Sequence, residues 1–176
     1  MSVFLPSHPD LFYALPMFSS RRHTPQGARR SLAIARHGMV CTSQTLASSA
    51  GLECLRRGGN AVDAAVTAAA LLGVVEPYNT GIGGDCFMLI WKAGGGEGGN
   101  GSPATEGGTL YGLNGSGRAP AAATLEEYQR RGLSEVPLLG MLAVTVPGAV
   151  DAWSTALARF GRRSLADALA PAIAYA

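Results

Sequence analysis

Two stretches carry residue types and spacings that can act on a ligand. Tyr78-Asn79-Thr80-Gly81-Ile82-Gly83-Gly84-Asp85 places three glycines just before the apolar run Cys86-Phe87-Met88-Leu89-Ile90-Trp91. Such glycines serve special backbone angles or the close approach of another group, and exposed N–H groups there can cradle an anion or an oxyanion. A tight structural turn accounts for the same residues. The loop lacks a Gly-Lys-Ser/Thr ending and precedes a strand instead of following one, so it is not a P-loop. The second stretch, Asn114-Gly115-Ser116-Gly117-Arg118-Ala119-Pro120, leaves a strand with Arg118 as its best-placed cation. A guanidinium there can grip a substrate carboxylate bidentately. A solvated surface arginine is the plain alternative.

Nucleophile candidates are poor. Thr42 and Ser43 read as helix caps, Ser116 as a loop hydroxyl and Thr145 as a strand residue. His8 and His23 lie in an N-terminal extension, and His37 stands alone before the first strand. Asp63 reads as a helix-start charge, not a general base. No Ser-His-Asp or Cys-His set can be nominated, so these residues do not make a complete active site.

Composition narrows the class. With 176 residues, 47% hydrophobic and 15% charged, the chain can bury a core. Net charge is +2, too small to argue for nucleic acid. Of 24 glycines, 14 fall within residues 81–117, so the excess is local to the two loops and what joins them. The apolar run 64–75 is far short of the ~20 residues a bilayer crossing needs, which predicts a soluble chain without membrane contact. Cys41, Cys54 and Cys86 cannot all pair and each has apolar neighbours; buried reduced thiols and a cytoplasmic setting are expected. Neither metal nor cofactor is implied.

The elements that must position the loops follow from caps and periodicity. Residues 1–35 are acid-poor, with Asp10 against Arg21, Arg22, Arg29 and Arg30, and read as a disordered or targeting extension. Met39-Val40-Cys41 reads as a short strand. The next helix carries Ala47, Ala50, Gly51 and Cys54 on one small-residue face and ends at Gly58-Gly59. Asn60 caps a second helix with Asp63 at its third position; it is apolar nearly all round, hence buried between layers, and Gly73 and Pro77 close it. Residues 86–91 read as a strand buried on both faces, joined to the returning strand 109–113 by the low-complexity residues 93–108. Thr124 with Glu127 opens a short helix, Pro147 opens one through Phe160, and Ser164 with Asp167 starts a last one whose pattern Pro171 interrupts.

From about residue 38 to 174 the sequence resembles the gamma-glutamyltransferase family (gamma-glutamyltranspeptidase, or glutathione hydrolase). The matching stretches are Gly38-Met39-Val40, LECLRRGGNAVDAA from Leu52, Val74-Val75-Glu76-Pro77, Gly81-Ile82-Gly83-Gly84-Asp85, Arg118-Ala119-Pro120, Val146-Pro147-Gly148 and Leu169-Ala170-Pro171-Ala172. The resemblance implies an α+β fold, the N-terminal portion of an N-terminal-nucleophile hydrolase-like four-layer αββα sandwich, spanning residues 36–176. It also implies a self-cleaving precursor whose small subunit begins with the nucleophilic Thr, which uses its own amine as base. That Thr lies beyond these residues, so this chain alone is expected to be inactive and to need the small subunit as partner. The implied substrate is a γ-glutamyl compound such as glutathione.

One implied role falls within these residues. Family members hold the glutamate α-carboxylate with an Arg in a Phe-Arg-Glu-x-Ala-Pro pattern. Aligned on Ala119-Pro120 that Arg falls on Ser116, and the available cation is Arg118, two positions on. Either Arg118 reaches the same carboxylate from a shifted loop, or a different acyl donor is bound. Two non-enzymatic readings stand beside this one: a remnant acting through another chain, and an anion-binding module using residues 81–85. With half a sandwich absent, both the second helix and the strand after it are expected to lose a covering layer and to drive association.

Overall fold

The computed structural model describes residues 2–4, 33–94 and 107–176. The class is α+β: β1 (Ser2–Phe4), β2 (Met39–Cys41), α1 (Thr45–Arg56), α2 (Ala61–Val75), β3 (Cys86–Ala93), β4 (Gly108–Gly115), α3 (Leu125–Arg130), α4 (Ala149–Phe160) and α5 (Leu165–Tyr175). Most of the extension lies outside the described residues, but Ser2–Phe4 forms a strand that pairs antiparallel with β2, Val3 opposite Val40. The low-complexity connection likewise lies outside them, except at its two ends.

Helix α2 is the centre. Val66, Ala68 and Leu71 are wholly buried among α1, α4 and α5. Its many alanines let neighbours come close, and α1 crosses it at Gly51, where a Cβ would sit 2.9 Å from Val40 Cγ1 and 3.1 Å from the Ala64 carbonyl. Asn60 and Asp63 form the expected reciprocal cap. The helix runs through Gly73 and stops at Glu76, the residue before Pro77, so the proline and not the glycine ends it.

Asp63 does more than begin a helix. Wholly buried, its carboxylate accepts hydrogen bonds from the N–H groups of Asn60 (2.7 Å), Arg162 (2.9 Å) and Arg163 (3.0 Å), while Asn60 Nδ2 donates to the Phe160 carbonyl (2.6 Å). The Gly-Gly-Asn-Ala-Val-Asp stretch is therefore a staple between α2 and the α4–α5 connection. Gly161 is needed there, because a Cβ would fall 2.7 Å from Asp63 Oδ1.

Several local expectations change. Gln44, not Thr42 or Ser43, caps α1, its side-chain oxygen accepting from Leu46 N (2.8 Å). Thr42 pairs with Ser48, and Ser43 donates to the buried Glu76 carboxylate (2.8 Å). Helix α5 passes through Pro171 unbroken, because Ala168 and Ala172 on either side are held in the core against α2. Cys41 is exposed, lying on the outward side of β2; Cys54 and Cys86 are half-buried, and all three are free. No described helix is long and apolar enough to cross a membrane.

The β3–β4 hairpin packs by one face only. Cys86 and Met88 turn toward the helical core, and the Tyr111 ring meets Phe160 in a tilted contact at 4.9 Å between centroids. On the other face Phe87, Leu89 and Trp91 are 64%, 80% and 56% exposed. The expectation of a strand buried on both faces is thus corrected: a continuous apolar run here has one covered side. Of the two elements expected to lose a covering layer, the strand does so among the described residues and α2 does not.

Candidate functional site

The open end of the hairpin brings the two glycine-bearing loops together. Residues 81–85 enter β3 and residues 114–118 leave β4, and the pairing of Cys86 with Gly115 sets them side by side. A third segment, Thr145 to Ala149, locks both. The Gly84 carbonyl accepts from the N–H groups of Gly148 (3.0 Å) and Ala149 (3.1 Å), satisfying donors at the start of α4. Thr145 Oγ1 donates to the Ser116 carbonyl (2.9 Å), and Val146 N donates to the Arg118 carbonyl (2.9 Å).

The glycines at this end fall into two kinds. Gly117 has a φ of +76°, and a Cβ on it would collide with the Val146 carbonyl; a Cβ on Gly148 would collide with the Gly115 carbonyl. These positions admit no side chain because backbones cross there. Gly81 and Gly83 have no such reason: neither has a positive φ, and a Cβ on either meets nothing within 4 Å. Residues 82–83 form the expected turn, but without a left-handed glycine, and open space for close approach lies beside Gly81 and Gly83. Pro77 to Gly81, with Gly83, Gly84 and Asp85, lines an open depression of about 360 Å³.

Arg118 stands on this locked frame with its side chain exposed and free of ion pairs among the described residues. The salt bridges lie elsewhere, on α1 and α3. A rigid backbone beneath an unpartnered guanidinium is a geometry that can receive a carboxylate. Ser116 is occupied differently: its N–H bonds to Asn114 Oδ1 (3.0 Å) and its hydroxyl to the Gly117 carbonyl (3.2 Å). It does not stand as an activated nucleophile. Beneath the site, burial pushes the Cys86 thiol up, and the adjacent Trp153 indole N–H opposes that rise. A thiol held protonated in this way is a packing group.

Sequence reasoning found both loops and Arg118 but not the segment that joins them. Thr145 read as a strand residue and Gly148 as part of a helix start; their contacts with Ser116, Gly84 and Gly115 arise only once α4 folds back on the hairpin. The local sign was Val-Pro-Gly before a helix, where a small residue leaves the first N–H groups open to an outside carbonyl.

Comparison with known proteins gives the family and the fold. The family model described as gamma-glutamyltranspeptidase matches residues 47–176. The glutathione hydrolase-like YwrD proenzyme of Bacillus subtilis is 45% identical over 139 residues, covering 78% of this chain and 24% of that protein. The oxamate amidohydrolase proenzyme of Klebsiella pneumoniae is 39% identical over 150 residues, covering 81% and 25%. Among solved structures, the cephalosporin acylase from Bacillus halodurans superposes with a TM-score of 0.73 at 45% identity, over 91% of this chain and 27% of that one. The chain spans about a quarter of the length of the curated relatives it matches. The helices and hairpin are the N-terminal portion of an N-terminal-nucleophile hydrolase sandwich, and the chain belongs to the gamma-glutamyltranspeptidase family.

Proposed function

We propose that residues 36–176 form the acyl-donor-binding part of an amide-cleaving enzyme, with Arg118 holding a carboxylate of the donor. The observation that carries this is the exposed, unpaired guanidinium on a backbone fixed by Val146 N and Thr145 Oγ1. The donor class is a γ-glutamyl compound such as glutathione, whose α-carboxylate would meet Arg118 from a loop shifted by two residues. The bond is cleaved by a Thr nucleophile contributed by another part of the enzyme, and the acyl group passes to water or to an amine. Oxamate, named in one relative, is also a carboxylate beside an amide. What the two donor types share is the group Arg118 is suited to bind.

The outer face of β3 and β4 receives the second sheet of the sandwich, which carries the nucleophile. That exposed face also favours a second reading, in which this chain acts only by associating with another. The test separates the two. In the enzyme made from the full reading frame containing these residues, Arg118→Ala lowers kcat/KM for γ-glutamyl-p-nitroanilide about 100-fold, as expected for losing about 3 kcal/mol of charged hydrogen bonding. Arg118→Lys falls between, keeping charge but not the bidentate fork. An unchanged kcat/KM removes Arg118 from the site, and absence of turnover by the unaltered protein leaves the associative reading.

A further inference from the structure

The loop that lines the open depression is fixed at both ends, and its near end uses a buried acid that the carboxylate reading leaves without a role. At the far end the Gly84 carbonyl is held by the first N–H groups of α4. At the near end stands Glu76, only 7% exposed, its N–H donated to the Leu72 carbonyl (2.8 Å) as α2 closes. Its own carbonyl accepts from the N–H groups of Asn79 (2.9 Å) and Thr80 (3.2 Å), and both of those residues line the depression. The backbone of Glu76 thus turns the chain from helix into loop.

The side chain ties that turn to a third element. Ser43 Oγ donates to Glu76 Oε2 (2.8 Å) across 33 residues of sequence. Ser43 itself lies on a braced corner between β2 and α1, where the Thr42 N–H donates to Ser48 Oγ (3.2 Å) and Gln44 caps the helix. A carboxylate at the C-terminal end of a helix faces the negative end of its dipole, and α2 has no basic residue in its last turn to offset this. Among the described residues Glu76 makes no ion pair either. What its side chain contributes is the hydrogen bond it accepts from Ser43.

We infer that Glu76 is a positioning residue for this site: its hydrogen bond from Ser43 anchors the turn at residues 76–80 and holds the depression in the shape that receives substrate. Glu76 is not among the residues lining the depression, so it acts through Asn79 and Thr80. The inference rests on the reading of this end of the hairpin as the donor site, and adds a residue that supports the site from behind.

The test uses the enzyme made from the full reading frame and two readouts. In Ser43→Ala the amides of Asn79 and Thr80 exchange with solvent about 10-fold faster, while those of Val66 to Leu72 keep their rates. With γ-glutamyl-p-nitroanilide, Ser43→Ala raises KM about 10-fold and leaves kcat within about twofold, whereas a folding defect lowers the apparent kcat at unchanged KM. Glu76→Leu does the same, and the pair Ser43→Ala with Glu76→Leu is no worse than either alone. Glu76→Gln keeps an acceptor oxygen for Ser43 and stays near the unaltered enzyme. Unchanged exchange at Asn79 and Thr80 overturns the tether, as does Glu76→Gln as impaired as Glu76→Leu. Faster exchange with unchanged KM overturns the link to substrate. A raised KM in these variants beside an unaffected Arg118→Ala removes Arg118 from the site and keeps Glu76. No turnover by the unaltered protein overturns the donor-site reading itself, and the exchange rates still decide the tether.

Discussion

Helix α2 and strand β3 are written in the same apolar alphabet and end in opposite conditions. Val66 and Leu71 on the helix are wholly buried, whereas Leu89 on the strand is 80% exposed. The difference lies in what this chain supplies to each. Around α2 it provides α1, α4 and α5, enough to close every side of a cylinder rich in alanine. For the hairpin the described residues provide helices on one face only. A continuous apolar run does not by itself say which layers will cover it. The helical side carries its own cover, and among the described residues the outer sheet face does not.

The sharpest way to break this contrast is at the staple that holds the helical side closed. Asp63→Ala leaves the part-buried N–H groups of Asn60, Arg162 and Arg163 without their acceptor. At about 1–3 kcal/mol for each orphaned group, unfolding measured by far-ultraviolet circular dichroism is expected to show a loss of at least ~3 kcal/mol. Asp63→Asn, which keeps one acceptor oxygen, loses less. If Asp63→Ala unfolds like the unaltered chain, the helical side does not depend on this staple.

A paired truncation reads the contrast directly. Leu71→Ala opens a cavity in a closed core and is expected to cost about 2–5 kcal/mol. Leu89→Ala removes a side chain that is 80% exposed among the described residues and stays within about 0.5 kcal/mol, while reducing self-association seen by light scattering. Equal losses at the two positions would mean that the sheet face is already covered.

What was legible in the sequence follows the same division. The Asn60–Asp63 and Ser164–Asp167 caps depend on side chains reaching their own backbone a few residues away, and both were readable, as was the stop at Gly161. The cap of α1 was misplaced because Thr42, Ser43 and Gln44 all offer a suitable oxygen, and tertiary contacts with Ser48 and Glu76 take the first two. That β3 is covered on one side was not readable, since an unbroken apolar run does not say which chain segment covers it. Arg118 and the glycine loop were visible separately. Their meeting depends on the Gly84 carbonyl at the start of α4 and on the backbone crossing at Gly117 and Gly148, contacts over tens of residues. Glycine content announced special backbone there, and only the fold separated glycines required by crossing chains from those that leave room for a ligand.

Residue-resolved amide hydrogen exchange on the chain by itself tests the central contrast most directly. Amides of Val66 to Leu72 in α2 are expected to exchange orders of magnitude more slowly than the hydrogen-bonded amides of β3 and β4, because the hairpin opens without disturbing the helical core. Equal protection in the two regions, or fast exchange in α2, would contradict a self-sufficient helical side carrying an uncovered sheet.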